Sequence, residues 1–175
     1  GLLGENGAGK STLMKILAGY EALSGGQMLI NGAPASFNGP RAAGAQGIVL
    51  IHQEFNLAED LTIAQSIFLG HEKKRGWLLD EAAMRDEARQ AIEQVGLRVA
   101  VDTPVRQLIV AEKQMVEIAK ALSRHARLLI MDEPTATLTS GETERLFELM
   151  ERLKRDGVTL IYISHKLDEV KRITD

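Results

Sequence analysis

A glycine-rich segment, residues 4–12, has the residue types and spacing of a phosphate-binding loop. Its glycines tolerate backbone angles that other residues resist, so successive N–H groups can turn inward around phosphates at the positive end of a following helix. Lys10 would add a positive charge for the β- and γ-phosphates, and the Ser11 hydroxyl could ligate Mg²⁺. The segment therefore predicts a nucleoside triphosphate site, formed by Gly4, Glu5, Asn6, Gly7, Ala8, Gly9, Lys10, Ser11 and Thr12.

The alternative interpretation of this segment is a glycine-rich turn that only caps a helix. The residues after the loop favour the functional interpretation, because they predict the helix that a phosphate loop must open. Leu13, Ile16 and Leu17 recur at helical spacing, and Gly19 stands where that helix would stop.

Two adjacent acids follow an apolar segment, residues 128–131, that predicts a buried strand. Parallel sheets bind ligands at the edge where their strands end. At that edge Asp132 could hold Mg²⁺, and Glu133 could orient or deprotonate an attacking water. A strand that simply ends in two solvated acids has the same pattern. In combination with the phosphate loop, the pattern favours a site that hydrolyses the nucleotide.

Two further predicted strands deliver a polar residue to the same edge. Residues 161–163 lead to His165, which could hydrogen-bond a γ-phosphate or position the water. Residues 47–51 lead to Gln53, which could sense Mg²⁺ or the water. Each of these residues alone is also compatible with a structural role, so both assignments depend on the rest of the set.

Hydrophobic spacing and turn signals around these residues predict strands that alternate with helices. Strands are predicted at 27–30, 47–51, 128–131 and 158–163. Helices are predicted at about 61–69, between an Asp80 cap and Gly96, at about 112–123, and between a Thr139–Glu142 capping box and Gly157. This alternation is typical of a mostly parallel sheet covered on both faces. The all-helical stretch from about 55 to 120 is then an insertion.

The composition fits one globular domain and excludes several kinds of function. The chain has 175 residues, of which 45% are hydrophobic and 26% charged, and its formal net charge of −3 gives no indication of nucleic-acid binding. Without cysteine, a disulfide, a thiolate metal site and a cysteine nucleophile are excluded. No apolar run approaches the ~20 residues of a transmembrane helix, so we expect any membrane role to come through a partner.

The order of the motifs resembles the ATP-binding subunit of ABC transporters over nearly the whole chain. In that family a phosphate loop is followed by a glutamine loop, a helical subdomain with a signature motif, a magnesium-binding strand with a catalytic glutamate, a short loop and a switch histidine. The corresponding positions are Lys10-Ser11, Gln53, residues 108–112, Asp132-Glu133, residues 136–139 and His165.

This resemblance implies an α/β fold of the P-loop NTPase class, with a parallel-sheet core and an inserted α-helical subdomain. The expected division is a first part of the ATP-binding core at 1–54, a helical subdomain at 55–120 and a second part of the core at 121–175. The implied ligands are ATP and Mg²⁺. The implied metal ligands are Ser11, Gln53 and Asp132, and the implied catalytic residues are Glu133, His165 and Gln53.

The family's signature, Leu-Ser-Gly-Gly-Gln, occurs literally at residues 23–27, but at the wrong place. A signature opens a helix, because it binds the partner's γ-phosphate through a serine hydroxyl and N-terminal amides. Residues 23–27 precede Gln53 and lead into a strand, so the signature is assigned instead to Leu108, Ile109, Val110, Ala111 and Glu112. There Ile109 replaces the serine, which predicts a weakened site on the partner's ATP.

Four segments resemble the sugar-importing branch of the ribose, galactose and xylose type: residues 4–10, 51–57, 114–122 and 162–165. The resemblance implies a peripheral ATPase on the cytoplasmic face of the cell (inner) membrane that couples hydrolysis to carbohydrate uptake. The implied partners are transmembrane permease subunits, a periplasmic or extracellular sugar-binding protein and a second ATPase domain, fused or in trans, paired head to tail. No nucleic acid is implied.

Subunits of this branch usually carry two fused ATPase domains, and this chain resembles most of the first, truncated at both ends and without the adenine-stacking residue. Two alternatives remain. One is a soluble ABC-type ATPase of translation or DNA repair, although the repair class needs a much longer insertion than 55–120. The other is a nucleotide-binding module without hydrolysis, against which Glu133 and His165 argue.

Overall fold

The computed structural model describes residues 8–52 and 55–174. Its helices are α1 (Lys10–Leu17), α2 (Pro40–Ala45), α3 (Ile63–Phe68), α4 (Glu81–Gln94), α5 (Val110–Ser123), α6 (Ser140–Arg155) and α7 (Leu167–Ile173). Its strands are β1 (Met28–Ile30), β2 (Ala33–Ala35), β3 (Ile48–Ile51), β4 (Lys74–Arg75), β5 (Leu78–Leu79), β6 (Leu128–Asp132) and β7 (Thr159–Ile163).

Within the described residues the chain divides into two compact units. The first, called here the sheet unit, comprises 8–52, 126–134 and 150–174. The second, called the helical unit, comprises 55–125 and 135–149. The three-part division at residues 54 and 120 stays a prediction. No helix among the described residues combines the length and the apolar character needed to cross a membrane.

A parallel three-stranded sheet in the order β3–β6–β7 forms the centre of the sheet unit. The strands are short apolar runs, as buried parallel strands are, and each was predicted from the sequence. The register pairs Ile51 with Met131 and Asp132 with Ile163. Because all three strands run the same way, the residues that follow them meet at one edge of the sheet.

Helices α1 and α2 contribute small and apolar side chains to the core beside this sheet. The buried core cluster consists of Met14, Ala18, Ala43, Ile48, Leu50, Ile130 and Ile163. Gly19 ends α1 as predicted, with φ +75°. A Cβ at Gly19 would lie 2.7 Å from the carbonyl oxygen of Gly39, so only glycine fits this close approach of two loops.

The literal Leu-Ser-Gly-Gly-Gln segment leads into strand β1 and opens no helix, as predicted. Strand β1 pairs with β2 in an antiparallel ribbon around an Asn31-Gly32 turn, with Met28 opposite Ala35. Strand β2 was not predicted from the sequence. Asn31 and Gly32 both have positive φ, of 52° and 81°, as this kind of tight turn requires.

In the helical unit, α3, α4 and α5 pack against one another. Thr62 and Gln65 form a reciprocal capping box at the start of α3, and the Asp80 carboxylate accepts the Ala83 N–H at 3.0 Å to cap α4 as predicted. The apolar faces of these helices supply the core of the unit, which includes Ile63, Ile67, Phe68, Met84, Ala88, Ile92, Val116, Ile118 and Ala119.

The prediction that residues 55–120 are all helical is wrong at one place, the antiparallel hairpin of β4 and β5. Gly76 takes φ +68° in its turn, which lets the chain reverse within two residues. The base of the hairpin is held by the Asp80 N–H, which donates to the Lys73 carbonyl at 2.9 Å, and by an ion pair of Lys73 with Glu87 on α4. Trp77 at the tip is 90% exposed.

Candidate functional site

The second half of the predicted phosphate loop leads directly into α1. Gly9 adopts the left-handed conformation, with φ +85°, and accepts the Leu13 N–H at 2.9 Å as the helix begins. Because glycine has no side chain, it cannot cap the first turn as serine or aspartate would. Residues 8–12 therefore lead through a left-handed glycine into the start of a helix, as the prediction of a phosphate loop expects. Residues 4–7 of the prediction lie outside the described residues.

A direct hydrogen bond joins α1 to the end of β6. The Ser11 hydroxyl donates to Asp132 Oδ2 at 2.9 Å, across 121 residues of sequence. A hydroxyl and a carboxylate are hard oxygen donors, the kind that Mg²⁺ prefers. The described residues hold no cluster of three or more His, Cys, Asp or Glu that could bind a metal by itself. This pair therefore suits an ion that takes its remaining ligands from phosphate and water.

Glu133 occupies a backbone conformation that is uncommon for a residue with a side chain. Its φ is +47°, in the left-handed region. Its N–H donates to the Ile163 carbonyl at 2.9 Å, which fixes the turn after β6 to the end of β7. Such strain in a non-glycine residue is concentrated at functional sites, where the surrounding structure holds it in place.

The Glu133 side chain is directed to His165. Their atoms Oε1 and Nδ1 lie 3.0 Å apart, with 22% of the glutamate side chain and 59% of the histidine side chain exposed. An ionised carboxylate can only accept hydrogen bonds, so Nδ1 carries the proton in this contact whenever Glu133 is charged. The structure thus brings together two residues that the sequence predicted at the ends of neighbouring strands.

Gln53 belongs to the same predicted set but lies outside the described residues. It follows β3, the strand that pairs with β6 in parallel, with Ile51 opposite Met131. Its metal-binding and catalytic roles stay predictions.

The assigned signature segment lies at the start of α5 in the helical unit. Ile109 is the residue before the helix, with 60% of its surface exposed, and Val110 is 39% exposed. The Glu112 carboxylate accepts the Ile109 N–H at 3.0 Å, which is half of a capping box. An isoleucine side chain cannot supply the other half, so the hydroxyl of the family's pattern has no replacement here. Leu108 is buried, as an anchor for the segment would be.

One residue beside the site was not predicted from the sequence. Glu169, on the first turn of α7, accepts hydrogen bonds from Tyr162 and Ser164 on the chain that leads to His165. A single acid in a short helix gives no pattern from which this role could be predicted. Glu169 contacts Tyr162 and Ser164 because α7 packs against the end of β7.

A protein-family model described as ABC transporter matches residues 1–136. The chain belongs to the ABC transporter family. The match includes the Ser11–Asp132 contact and Glu133, although His165 lies beyond it. Membership of the ABC transporter family confirms the resemblance that the order of the motifs predicted.

Relatives within the ABC transporter family agree with this assignment. A "Putative ribose/galactose/methyl galactoside import ATP-binding protein 3" of Burkholderia cenocepacia is 51% identical over 172 residues, which are 98% of this chain and 34% of the relative. A "Ribose import ATP-binding protein" of Chromobacterium violaceum is 49% identical over 99% of this chain and 35% of its own length. The chain thus spans about a third of the curated relatives it matches.

The fold is that of an ABC cassette. A crystal structure of a nucleotide-free ATP-binding cassette from an ABC transporter superposes with a TM-score of 0.85, at 25% identity, over 98% of this chain and 72% of that one. The predicted P-loop NTPase class, with a parallel sheet and a helical region, is confirmed.

Proposed function

We propose that the chain supplies one ATP-binding and ATP-hydrolysing site of a carbohydrate importer. The observation that carries this proposal is the convergence of Ser11, Asp132, Glu133 and His165 in the sheet unit through contacts of 2.9 and 3.0 Å. The names of the relatives favour import of a ribose- or galactose-type sugar over the role of a soluble translation or repair ATPase.

The phosphates of ATP would bind at the start of α1. The backbone amides of residues 4–12 can surround them, and Lys10 adds a positive charge close to the β- and γ-phosphates. Ser11 and Asp132, whose oxygens already lie 2.9 Å apart, would hold Mg²⁺, with Gln53 as a further ligand. When bound, Mg²⁺ neutralises charge on the β- and γ-phosphates.

Glu133 would act on the attacking water as orienting group or proton acceptor. Its left-handed backbone and the bond of its N–H to the Ile163 carbonyl fix the main chain from which the carboxylate extends. Preorganisation of this kind raises the rate, because a misplaced base loses its water.

His165 has two ring nitrogens, one of which contacts Glu133 while the other could contact the γ-phosphate. The neutral ring that donates from Nδ1 to Glu133 has no proton on Nε2, and so cannot also donate to a γ-phosphate. To donate to a γ-phosphate, His165 must therefore change its contact with Glu133. This change would couple the presence of the γ-phosphate to the state of the catalytic glutamate.

The complete protein would work at the cytoplasmic face of the membrane with partners outside this chain. These are transmembrane permease subunits, a sugar-binding protein and a second ATPase domain in head-to-tail pairing. In that pairing the segment Leu108–Glu112 faces the partner's ATP, and Ile109 weakens that second site. The site that contains Lys10 depends on the signature of the partner domain.

Replacing Glu133 with glutamine tests the proposed catalytic role. In the full-length protein with its permease, E133Q should bind ATP about as well as the wild type, because the amide keeps the shape of the side chain. Hydrolysis should fall by roughly 10²–10⁴-fold, the usual contribution of a general base. The measurements are ATP affinity by calorimetry and phosphate release with sugar present.

The matched control is E148Q, the same change at an exposed position of α6 outside the site. It should leave binding and hydrolysis at wild-type levels. Substantial hydrolysis by E133Q, under conditions in which the control and the wild type agree, would contradict the proposed role.

A further inference from the structure

The turn that carries His165 is short and its histidine is exposed. Strand β7 ends at Ile163 and α7 begins at Leu167, so three residues connect them. With 59% of its side chain accessible to solvent, His165 is not held in place by packing. Something else must fix the orientation in which Nδ1 meets Glu133.

The carboxylate of Glu169 binds three groups along this turn. Oε2 accepts the Tyr162 hydroxyl at 2.6 Å and the Ser164 hydroxyl at 3.2 Å. Oε1 pairs with the Lys166 ammonium at 2.9 Å. These groups come from residues before and after His165, so one carboxylate holds both sides of the turn.

Ser164 closes the turn through a second contact. Its hydroxyl oxygen accepts the Lys166 N–H at 3.1 Å while it donates to Glu169. Ser164 is 2% exposed and Tyr162 is 1% exposed, so water competes little for these bonds. Hydrogen bonds to a charged oxygen are stronger than neutral ones.

The Lys166 pair adds less to this arrangement. Its ammonium side chain is 45% exposed, against 13% for Glu169, and exposed ion pairs contribute little. The orientation of the turn therefore depends chiefly on the two hydroxyl groups bound to Oε2.

We infer that Glu169 is a positioning residue, which holds the turn 164–166 so that His165 faces Glu133. The inference rests on the proposed function, since it assigns Glu169 an effect on hydrolysis through His165. Glu169 itself touches neither nucleotide nor metal in this assignment.

Replacing Glu169 with alanine in the full-length protein, together with its permease, measures this effect. E169A should lower kcat for ATP hydrolysis about 10- to 100-fold, as loss of orientation does, with a much smaller change in KM for ATP. E169Q retains an acceptor oxygen for Tyr162 and Ser164, so it should recover most of kcat. If E169A folds poorly, the kcat of E169Q still shows whether an acceptor oxygen at position 169 is sufficient for hydrolysis.

The matched control, K154M, removes a hydrogen bond at the C-terminal end of α7. Lys154 donates to the Ile173 carbonyl at 3.3 Å and lies away from the turn. K154M should lower the melting temperature and leave kcat near the wild-type value. A loss of kcat in K154M as large as that in E169A would overturn the inference, because general loosening of α7 would then explain both.

A double-mutant cycle with H165A separates the possible results. If Glu169 acts through His165, E169A should cause no further loss of the hydrolysis rate in the H165A background. Single-turnover hydrolysis measures that rate. An equal further loss would mean an independent structural role and overturn the inference. Normal kcat in E169A with low kcat in H165A would overturn it and leave the proposed function standing. Normal kcat in H165A would contradict the proposed role of His165 itself.

Discussion

At the scale of single residues, the proposed signature departs from the family's pattern at Ile109. This residue stands at the start of α5 with most of its side chain exposed, where a serine would present a hydroxyl to a phosphate. Losing a hydrogen bond to a charged group costs about 1.5–3 kcal/mol. That range corresponds to roughly 10- to 150-fold in an equilibrium or rate constant. Glu112 also places a negative charge beside the same amide.

Restoring the serine should therefore strengthen the weaker of the two proposed sites. I109S in the complete transporter should raise steady-state ATPase activity, measured by phosphate release in proteoliposomes. S24A, in the literal Leu-Ser-Gly-Gly-Gln segment, is the matched control and should change nothing. Unchanged ATPase activity in I109S would count against a weakened site.

At the scale of elements, the sequence predicted the helices and strands that have clear hydrophobic patterns of their own. Strand β6 and helix α5 were placed within a few residues, because a short apolar run between charged residues favours a buried strand and a sustained helical period favours a helix. Helices α2 and α7, strand β2 and the β4–β5 hairpin were not predicted. They have seven residues or fewer, and elements of that length are stabilised by tertiary contacts rather than by their own sequence.

The same distinction applies to the site. Asp132, Glu133 and His165 could be predicted, because each follows a buried strand and parallel strands end at one edge. The left-handed backbone of Glu133 and the contacts of Glu169 could not, because they arise from the packing of turns that are far apart in sequence. Sequence patterns predict which residues reach the edge, whereas their orientation depends on the surrounding turns.

The start of α6 allows a prediction about pH. The Glu142 carboxylate accepts the Thr139 N–H at 2.8 Å and the Thr139 hydroxyl at 2.7 Å. These bonds, the backbone one first, lower the pKa of Glu142 from its ordinary value. A lowered pKa means that the charged form favours the folded state. The stabilisation is therefore fully present above the unfolded pKa and is lost as pH falls through the folded pKa.

The variant E142Q should accordingly be less stable than the wild type at neutral pH, and the difference should shrink as the pH falls below the ordinary glutamate pKa. Urea unfolding at about pH 7 and about pH 3 measures it, on either side of the ordinary glutamate pKa near 4.3. E148Q, an exposed glutamate later in the same helix, should show no such convergence. A difference for E142Q that stays constant with pH would contradict the assigned cause.

At the scale of the whole molecule, the proposed chemistry is divided between the two units. The sheet unit holds Ser11, Asp132, Glu133 and His165, and the helical unit holds the signature segment. None of these proposed roles includes contact with a sugar. If the chain supplies hydrolysis and its partners supply recognition, the transported sugar should not depend on which relative contributes this part of the protein.

A chimaera tests whether this chain supplies hydrolysis while its partners supply sugar recognition. This chain would replace the matching third of the ribose import relative, to which it is 49% identical over 175 residues. The chimaera should restore ribose uptake to cells that lack the native protein, with the recipient's sugar preference, because permease and binding protein are unchanged. The same chimaera carrying E133Q should assemble with the permease but transport no ribose. A changed sugar preference, or equal uptake by the E133Q chimaera, would show that recognition or energy supply lies elsewhere than proposed.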